Sequence, residues 1–266
     1  MRYTHGLARK FAGGIIDTHT RDLHSKIRLD GFLSFAPGSN ALELQPLNVL
    51  IGVNASGKSN LIEAFELQRA MPTNPVDAIR EGGGAAEWIW KGEGATRSAE
   101  IEVEVKVRAG KRPLRHRLAF TAVSHCVEVS DEAIEELEPA EGKVSFLYRF
   151  RQGHPVVHSR SGSENGGGRK YVRRNLPPDS LNLDQSILSQ LKEHYSEITE
   201  MGVRYGAIQN FREWTFGRSA ALRQPQPADL PEDRLLPDAR NLALVLNHIE
   251  HNDGRRFNEI LKRFFP

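Results

Sequence analysis

Across residues 100–107 polar and apolar side chains alternate without a break, with Ile101, Val103, Val105 and Val107 on one side and Glu100, Glu102, Glu104 and Lys106 on the other. Successive side chains of a strand point to opposite faces, so this pattern predicts a sheet with one wet face, which is usually antiparallel. The same period returns at residues 115–123, 126–129 and 144–150, where Val144, Phe146, Tyr148 and Phe150 share a side. Together these runs predict a meander. Upstream, residues 26–29 alternate and run into 31–35, residues 37–40 (Pro-Gly-Ser-Asn) read as a turn, and 41–45 read as a second short strand. Residues 47–51 (Leu-Asn-Val-Leu-Ile) differ, because they are apolar almost throughout and predict a strand buried on both faces.

From Lys58 the period lengthens. Leu61, Ile62, Phe65 and Met71 fall on helical spacing, and Pro72 ends the helix because the residue before a proline is pushed out of helical geometry. Ile187, Leu188, Leu191, Tyr195 and Ile198 form one further stripe, and residues 241–251 and 255–265 predict two more helices after a proline-punctuated connector at 225–237. The acids Asp131, Glu132, Glu135, Glu136 and Glu138 read as the wet face of a short helix. Residues 159–168, rich in serine and glycine, read as a flexible insertion, and residues 1–24 show neither period. No internal repeat is present.

Composition narrows the class. With 266 residues and 39% hydrophobic content the chain can bury one sizeable core, or a core with a smaller lobe. No apolar run approaches the roughly 18–20 residues a membrane helix needs. The apolar stretch at 11–16 follows Arg2, Arg9 and Lys10 but is broken by Gly13 and Gly14, too short for a signal peptide. Cys126 is the only cysteine, which excludes an intramolecular disulfide and a cysteine metal site and fits a reducing cytoplasm. The net charge of +2 permits nucleic-acid contact without arguing for it. Two basic groups stand out: Arg169, Lys170, Arg173 and Arg174 around Tyr171, and Arg108, Lys111, Arg112, Arg115 and Arg117. Such runs most often mean a solvated surface, with a phosphate-backbone contact as the sharper reading.

Residues 52–59 (Gly-Val-Asn-Ala-Ser-Gly-Lys-Ser) match G-x-x-x-x-G-K-[ST] at every fixed position, between a predicted strand and a predicted helix. Each part has a physical purpose. Backbone N–H groups must converge on an anion, so the loop curls tightly, and Gly52 and Gly57 permit conformations that a Cβ would forbid. The helix that follows aims its positive dipole end at the same phosphates. Lys58 would reach the β- and γ-phosphates and the Ser59 hydroxyl would coordinate Mg²⁺. The absence of an Asn-Lys-x-Asp run that would select guanine favours ATP.

The longer run from Asn48 to Ala64, with Asn54, Asn60 and Glu63 besides the generic loop, resembles the P-loop of SMC/RecF/ABC-type ATPases, in the branch of bacterial predicted AAA family ATPases. Leu29, Gly31, Phe32, Ser34 and Phe35 are similar to the first strand of those proteins, and residues 211–217, 222–226 and 236–247 resemble their middle region. Ala55 stands where the commonest form has glycine, an alternative frequent in that branch. The resemblance covers residues 26 to 266. It implies an α/β P-loop NTPase of the ABC/SMC-head type, with an antiparallel β lobe and a C-terminal helical portion. The implied organisation is a loose extension at 1–24 and an incomplete head at 25–266: a P-loop unit (25–72), a β lobe (95–158), a flexible insertion (159–180) and a helical lobe (181–266).

The implied nucleotide-binding residues are Gly52, Asn54, Ala55, Ser56, Gly57, Lys58, Ser59 and Asn60, with Ser59 as the metal ligand. The implied cofactors are ATP and Mg²⁺, and the implied partner is a second head or another protein, with DNA a further candidate and no membrane. The family's signature serine motif, its apolar strand ending in Asp-Glu, and its switch histidine are not found here. In relatives they follow the segment with which this chain ends, so the chain alone is expected to bind ATP without turning it over. Gln185 and Gln190 are candidates for the family's glutamine loop, although a helix-surface glutamine is the plainer reading. Two other classes compete: a P-loop small-molecule kinase, which the antiparallel meander disfavours, and an ATP-sensing regulatory subunit without catalysis.

Overall fold

The alternating run is realised as β3 (Ser98–Val105), with Ala99, Ile101, Val103 and Val105 buried. Its neighbours are β1 (His24–Asp30) and β4 (Leu114–Val123), and both pairings are antiparallel. A computed structural model of the chain describes residues 24–106, 112–137, 146–161, 170–177, 180–191, 195–212, 214–215 and 217–264. It divides into two compact units, one on His19–Ile208 and one on Gln209–Pro266.

The first unit carries one sheet. Besides β1, β3 and β4 it contains β2 (Leu42–Glu43), β5 (Cys126–Glu136), β6 (Phe146–Arg151), β7 (His154–Ser161) and β8 (Lys170–Asn175). The order is β2-β1-β3-β4-β5-β6-β7-β8, and every pairing is antiparallel. The expected meander is therefore present and two strands longer, since β7 and β8 form a hairpin around the serine- and glycine-rich stretch. Residues 162–168 of that stretch lie outside the described residues. The early strand at 41–45 shrinks to the two residues of β2.

The acids at 131–136 correct the expectation of a short helix. They lie in β5, and a bulge hides the strand period, because Phe120 faces Val129 while Ala119 already faces Asp131, leaving Ser130 unpaired. The extra residue exchanges the two faces. Val127 and Val129 point inward before the bulge, Glu132 and Ile134 after it, and Asp131 and Glu135 turn to the wet face. Glu138 lies outside the described residues.

The inner face of the sheet buries Ile27, Leu29, Ile101, Val103, Leu118 and Phe120 in one core with the helices. These are α1 (Lys58–Ala70), α2 (Pro75–Glu81), α3 (Ala85–Trp88), α4 (Ile187–Gln190) and α5 (Ser196–Gly206). The helix expected from Lys58 forms and stops before Pro72. The stripe from Ile187 to Ile198 does not make one helix. It is split between α4 and α5, with Ile187, Leu188 and Ile198 buried.

A buried polar network ties the sheet to these helices. Glu132 accepts hydrogen bonds from Ser186 Oγ (2.5 Å) and the Ile187 backbone N–H (2.9 Å), and lies 3.1 Å from His116 Nε2. Ser186 also caps α4 by accepting from the Leu188 N–H at 3.2 Å. His116 Nδ1 pairs with the Tyr205 hydroxyl at 3.1 Å, and burial together with Glu132 raises the Tyr205 pKa. On the other side of Tyr205 stacks His24, edge-on to Phe65 and 2.7 Å from Gln68 Oε1 of α1. Burial pulls the His24 pKa down to about 4, with the Gln68 hydrogen bond opposing it. Isolated, a buried carboxylate or imidazolium would cost several kcal/mol.

The second unit contains α6 (Leu242–Asn252) and α7 (Gly254–Phe264), near the two helices predicted there. Buried Asn241 gathers the proline-rich connector before α6. Its Nδ2 donates to the carbonyls of Pro231 (2.6 Å) and Arg234 (2.8 Å), and its Oδ1 accepts from the Leu236 N–H (2.9 Å). No helix among the described residues is long and apolar enough to cross a membrane.

Candidate functional site

The loop from Gly52 to Lys58 is curled as its glycines require. Gly57 has φ of 88° and Ala55 φ of 63°, both in the left-handed region. Lys58 Nζ folds back over the loop and donates to the carbonyls of Gly52 (2.8 Å) and Val53 (2.7 Å), with Ser56 Oγ at 3.3 Å. The Ser56 N–H closes a tight turn onto the Val53 carbonyl at 3.3 Å. Gly57 serves as N-cap of α1 and offers no side-chain oxygen, and the first turn has no acid. The first N–H groups of this helix are therefore open to an external acceptor. A curled, cation-bearing loop that opens onto an uncapped helix start is a site for an anion.

Two glycines are held by their neighbours as well as by their conformation. A Cβ at Gly57 would stand 2.9 Å from Ser34 Oγ and 3.5 Å from the Phe35 ring. Ser34 and Phe35 belong to the turn after β1, which is fixed by Phe32–Phe35 backbone hydrogen bonds of 3.0 and 2.8 Å and by the Leu33 N–H on the Trp88 carbonyl at 2.8 Å. That turn begins at Gly31 (φ 59°), where a Cβ would meet the Ser98 carbonyl at 2.8 Å. The Gly31-Phe32-Leu33-Ser34-Phe35 stretch is the sequence signal of this turn, but its packing on the loop joins residues more than twenty positions apart, which local pattern does not specify.

Of the eight predicted nucleotide-binding residues, Gly52, Ser56 and Lys58 are joined by the lysine bonds, with Ala55 and Gly57 shaping the curve between them. Asn54 and Ser59 are exposed and Asn60 is half-buried; among the described residues none of the three has a side-chain hydrogen-bond partner. The hydrogen bonds of Gln185 and Gln190 go to residues outside the loop. Gln190 bonds Asn182, and Gln185 lies 3.5 Å from Asn74. A polar cleft of about 470 Å³ between β1, β2 and the end of β3 includes none of the loop residues in its lining.

The strand expected before the loop is not formed. Residues 47–51 are without regular structure, and Leu47 (82% exposed), Val49 (74%), Ile51 (91%) and Val53 (79%) face solvent. A strand apolar on both faces needs parallel neighbours and a covering layer on each side. The described sheet offers only antiparallel pairings and ends at β2. Asn48 instead ties off a turn, with its side chain accepting from the Gln45 N–H (2.9 Å) and donating to the Gln45 carbonyl (2.6 Å).

Loop, lysine and helix start together define the class, a P-loop nucleotide-binding protein. The chain belongs to the family described as "AAA domain, putative AbiEii toxin, Type IV TA system", which it matches over residues 47–250, most of its length and including the whole loop. This is a family of P-loop ATPases. A search of curated proteins found no match.

Proposed function

We propose that the chain is the nucleotide-binding portion of an SMC/RecF-like ATPase head that holds Mg·ATP on residues 52–60. The observation that carries this reading is the uncapped start of α1 behind a loop sealed by Lys58. The residues fit the group: Lys58 would exchange its two loop carbonyls for phosphate oxygens, and exposed Ser59 would offer its hydroxyl to Mg²⁺. Bound ATP supplies the γ-phosphate around which a second head or partner protein closes, and that closure gates the partner or DNA. The single cysteine suits a cytoplasmic setting.

Turnover needs a carboxylate beside the metal and another to position water. The Asp-Glu pair in β5 is committed elsewhere, Asp131 to Arg117 and Arg151 and Glu132 to the buried network. The catalytic carboxylates would therefore come from another segment or chain, whose strands would also cover residues 47–51. ATP titration of the full chain and of Lys58→Ala tests the site. Losing one charge-assisted contact of about 1.5–3 kcal/mol weakens binding at least about tenfold. Equal affinity of the two proteins would refute the site. Steady Mg²⁺-dependent hydrolysis by the wild-type chain, lost in Lys58→Ala, would refute the dependence on added carboxylates while leaving the site intact.

A further inference from the structure

The outer face of the sheet is divided by charge. From β1 to β5 the arginines meet carboxylates: Arg28 with Glu100 (2.7 Å) and Glu102 (3.3 Å), Arg117 with Asp131 (2.8 Å), and Arg115 with Glu135 (2.6 Å). Burial pushes the Glu135 pKa up, but hydrogen bonds from Arg149 and Arg115 outweigh it and hold the group below its usual range. Beyond β5 the described strands carry no carboxylate. Strands β6, β7 and β8 contain Arg149, Arg151, Arg160, Lys170, Arg173 and Arg174. Arg149 and Arg151 reach back to Glu135 and Asp131 of β5. Arg173 and Arg174 are exposed on the edge strand β8 and have no carboxylate partner among the described residues.

An aromatic group sits within this positive region. Phe146 lies between the Arg149 guanidinium, 4.4 Å from its centroid, and the His158 ring, edge-on at 4.4 Å. Arg173 faces His158 across the β7–β8 ladder. Burial lowers the His158 pKa, a backbone hydrogen bond to Phe146 opposes this, and the charges of Arg173 and Arg149 lower it further.

We propose that the β6–β8 end of the sheet is a nucleic-acid-binding surface, with Arg173 and Arg174 contacting the phosphodiester backbone along the edge strand. Adjacent strand residues point to opposite faces, so the two guanidiniums flank that edge from both sides. Guanidinium groups fit phosphate oxygens as planar forks, and unmatched cations concentrate a polyanion at the surface. A lipid surface would call for exposed apolar groups beside the arginines. Among the described side chains of these strands the exposed large apolar one is Val172, which by alternation shares its side of β8 with Arg174, and one valine falls far short of the apolar face that a lipid surface needs. This surface stands independently of the nucleotide loop.

The test is fluorescence anisotropy of the full chain with labelled random-sequence oligonucleotides, single-stranded and duplex, across a salt series. Arg173→Glu/Arg174→Glu is compared with Arg97→Glu/Lys106→Glu, which makes the same charge change on other exposed residues. The wild type should bind with affinity falling linearly on a log–log salt plot. The β8 pair should lose at least about tenfold in affinity and about 2 in slope, the equivalent of two phosphate contacts. The control pair should stay within about twofold, and Arg173→Lys/Arg174→Lys should keep most of the binding. No binding by the wild type, unchanged binding by the β8 charge reversal, or equal losses in both pairs overturns the proposal. Binding to phosphatidylserine vesicles without binding to either oligonucleotide also overturns it, in favour of a membrane surface.

Discussion

Strand β3 and the segment at 47–51 are both rich in β-branched and long apolar residues, yet one is the centre of a sheet and the other lies in solvent. β3 alternates, so one face can be buried and the other wetted, and β1 and β4 of the same chain supply both its neighbours. The 47–51 segment is apolar on both faces, and no described strand runs parallel to it. A one-faced strand can be satisfied by local hairpins, whereas a two-faced strand must be covered by layers that hairpins do not build. In the first unit, stability is expected to reside in the meander and nucleotide chemistry in the exposed stretch beside it.

The strongest way to break that contrast is to strike the network beneath the sheet. Glu132→Ala leaves Ser186, His116 and the Ile187 N–H without their acceptor and should cost about 3–5 kcal/mol in urea unfolding. A loss under 1 kcal/mol would mean that the network contributes little. A paired comparison is more direct. Ile101→Ala, at a fully buried position of β3, should cost about 2–5 kcal/mol. Ile51→Ser, by contrast, should leave the isolated chain within about 0.5 kcal/mol. Comparable losses at the two positions would show that residues 47–51 are packed in solution.

Acid should act on the sheet side first. The folded-state pKa of His24 lies near 4, below the 6.5 of the free side chain, so between these values the unfolded chain binds more protons. The contribution of neutral His24 is complete above pH 6.5 and fades as pH falls towards 4, by on the order of 3 kcal/mol in all. In His24→Gln the stability difference between pH 7 and pH 5 should shrink, and an identical profile would exclude this histidine as its source. The smallest effect belongs to the loop. Ala55 holds a left-handed conformation, so Ala55→Gly exchanges relieved strain for lost chain stiffness and should change ATP affinity and stability by no more than about 1 kcal/mol. Gly57→Val, driven against Ser34 and Phe35, should abolish binding. Equal effects of the two would show that the loop does not wrap an anion.

The sequence by itself determined the features that depend on neighbours along the chain. The period of two gave β3, β4 and β6, the helical spacing before Pro72 gave α1, and the fixed glycines with Lys58 gave the phosphate loop, since a seven-residue turn carries its own conformational demands. Tertiary structure decided what depends on residues far apart. The bulge at Ser130 turned an apparent helix face into a strand and sent Glu132 inward to Ser186 and His116, 54 and 16 residues away. The β7–β8 hairpin set Arg173 opposite His158 at the edge of the sheet. The exposure of 47–51 was likewise beyond local reading: an apolar run states that burial would be favourable, and only the other strands decide whether there is anything to bury it.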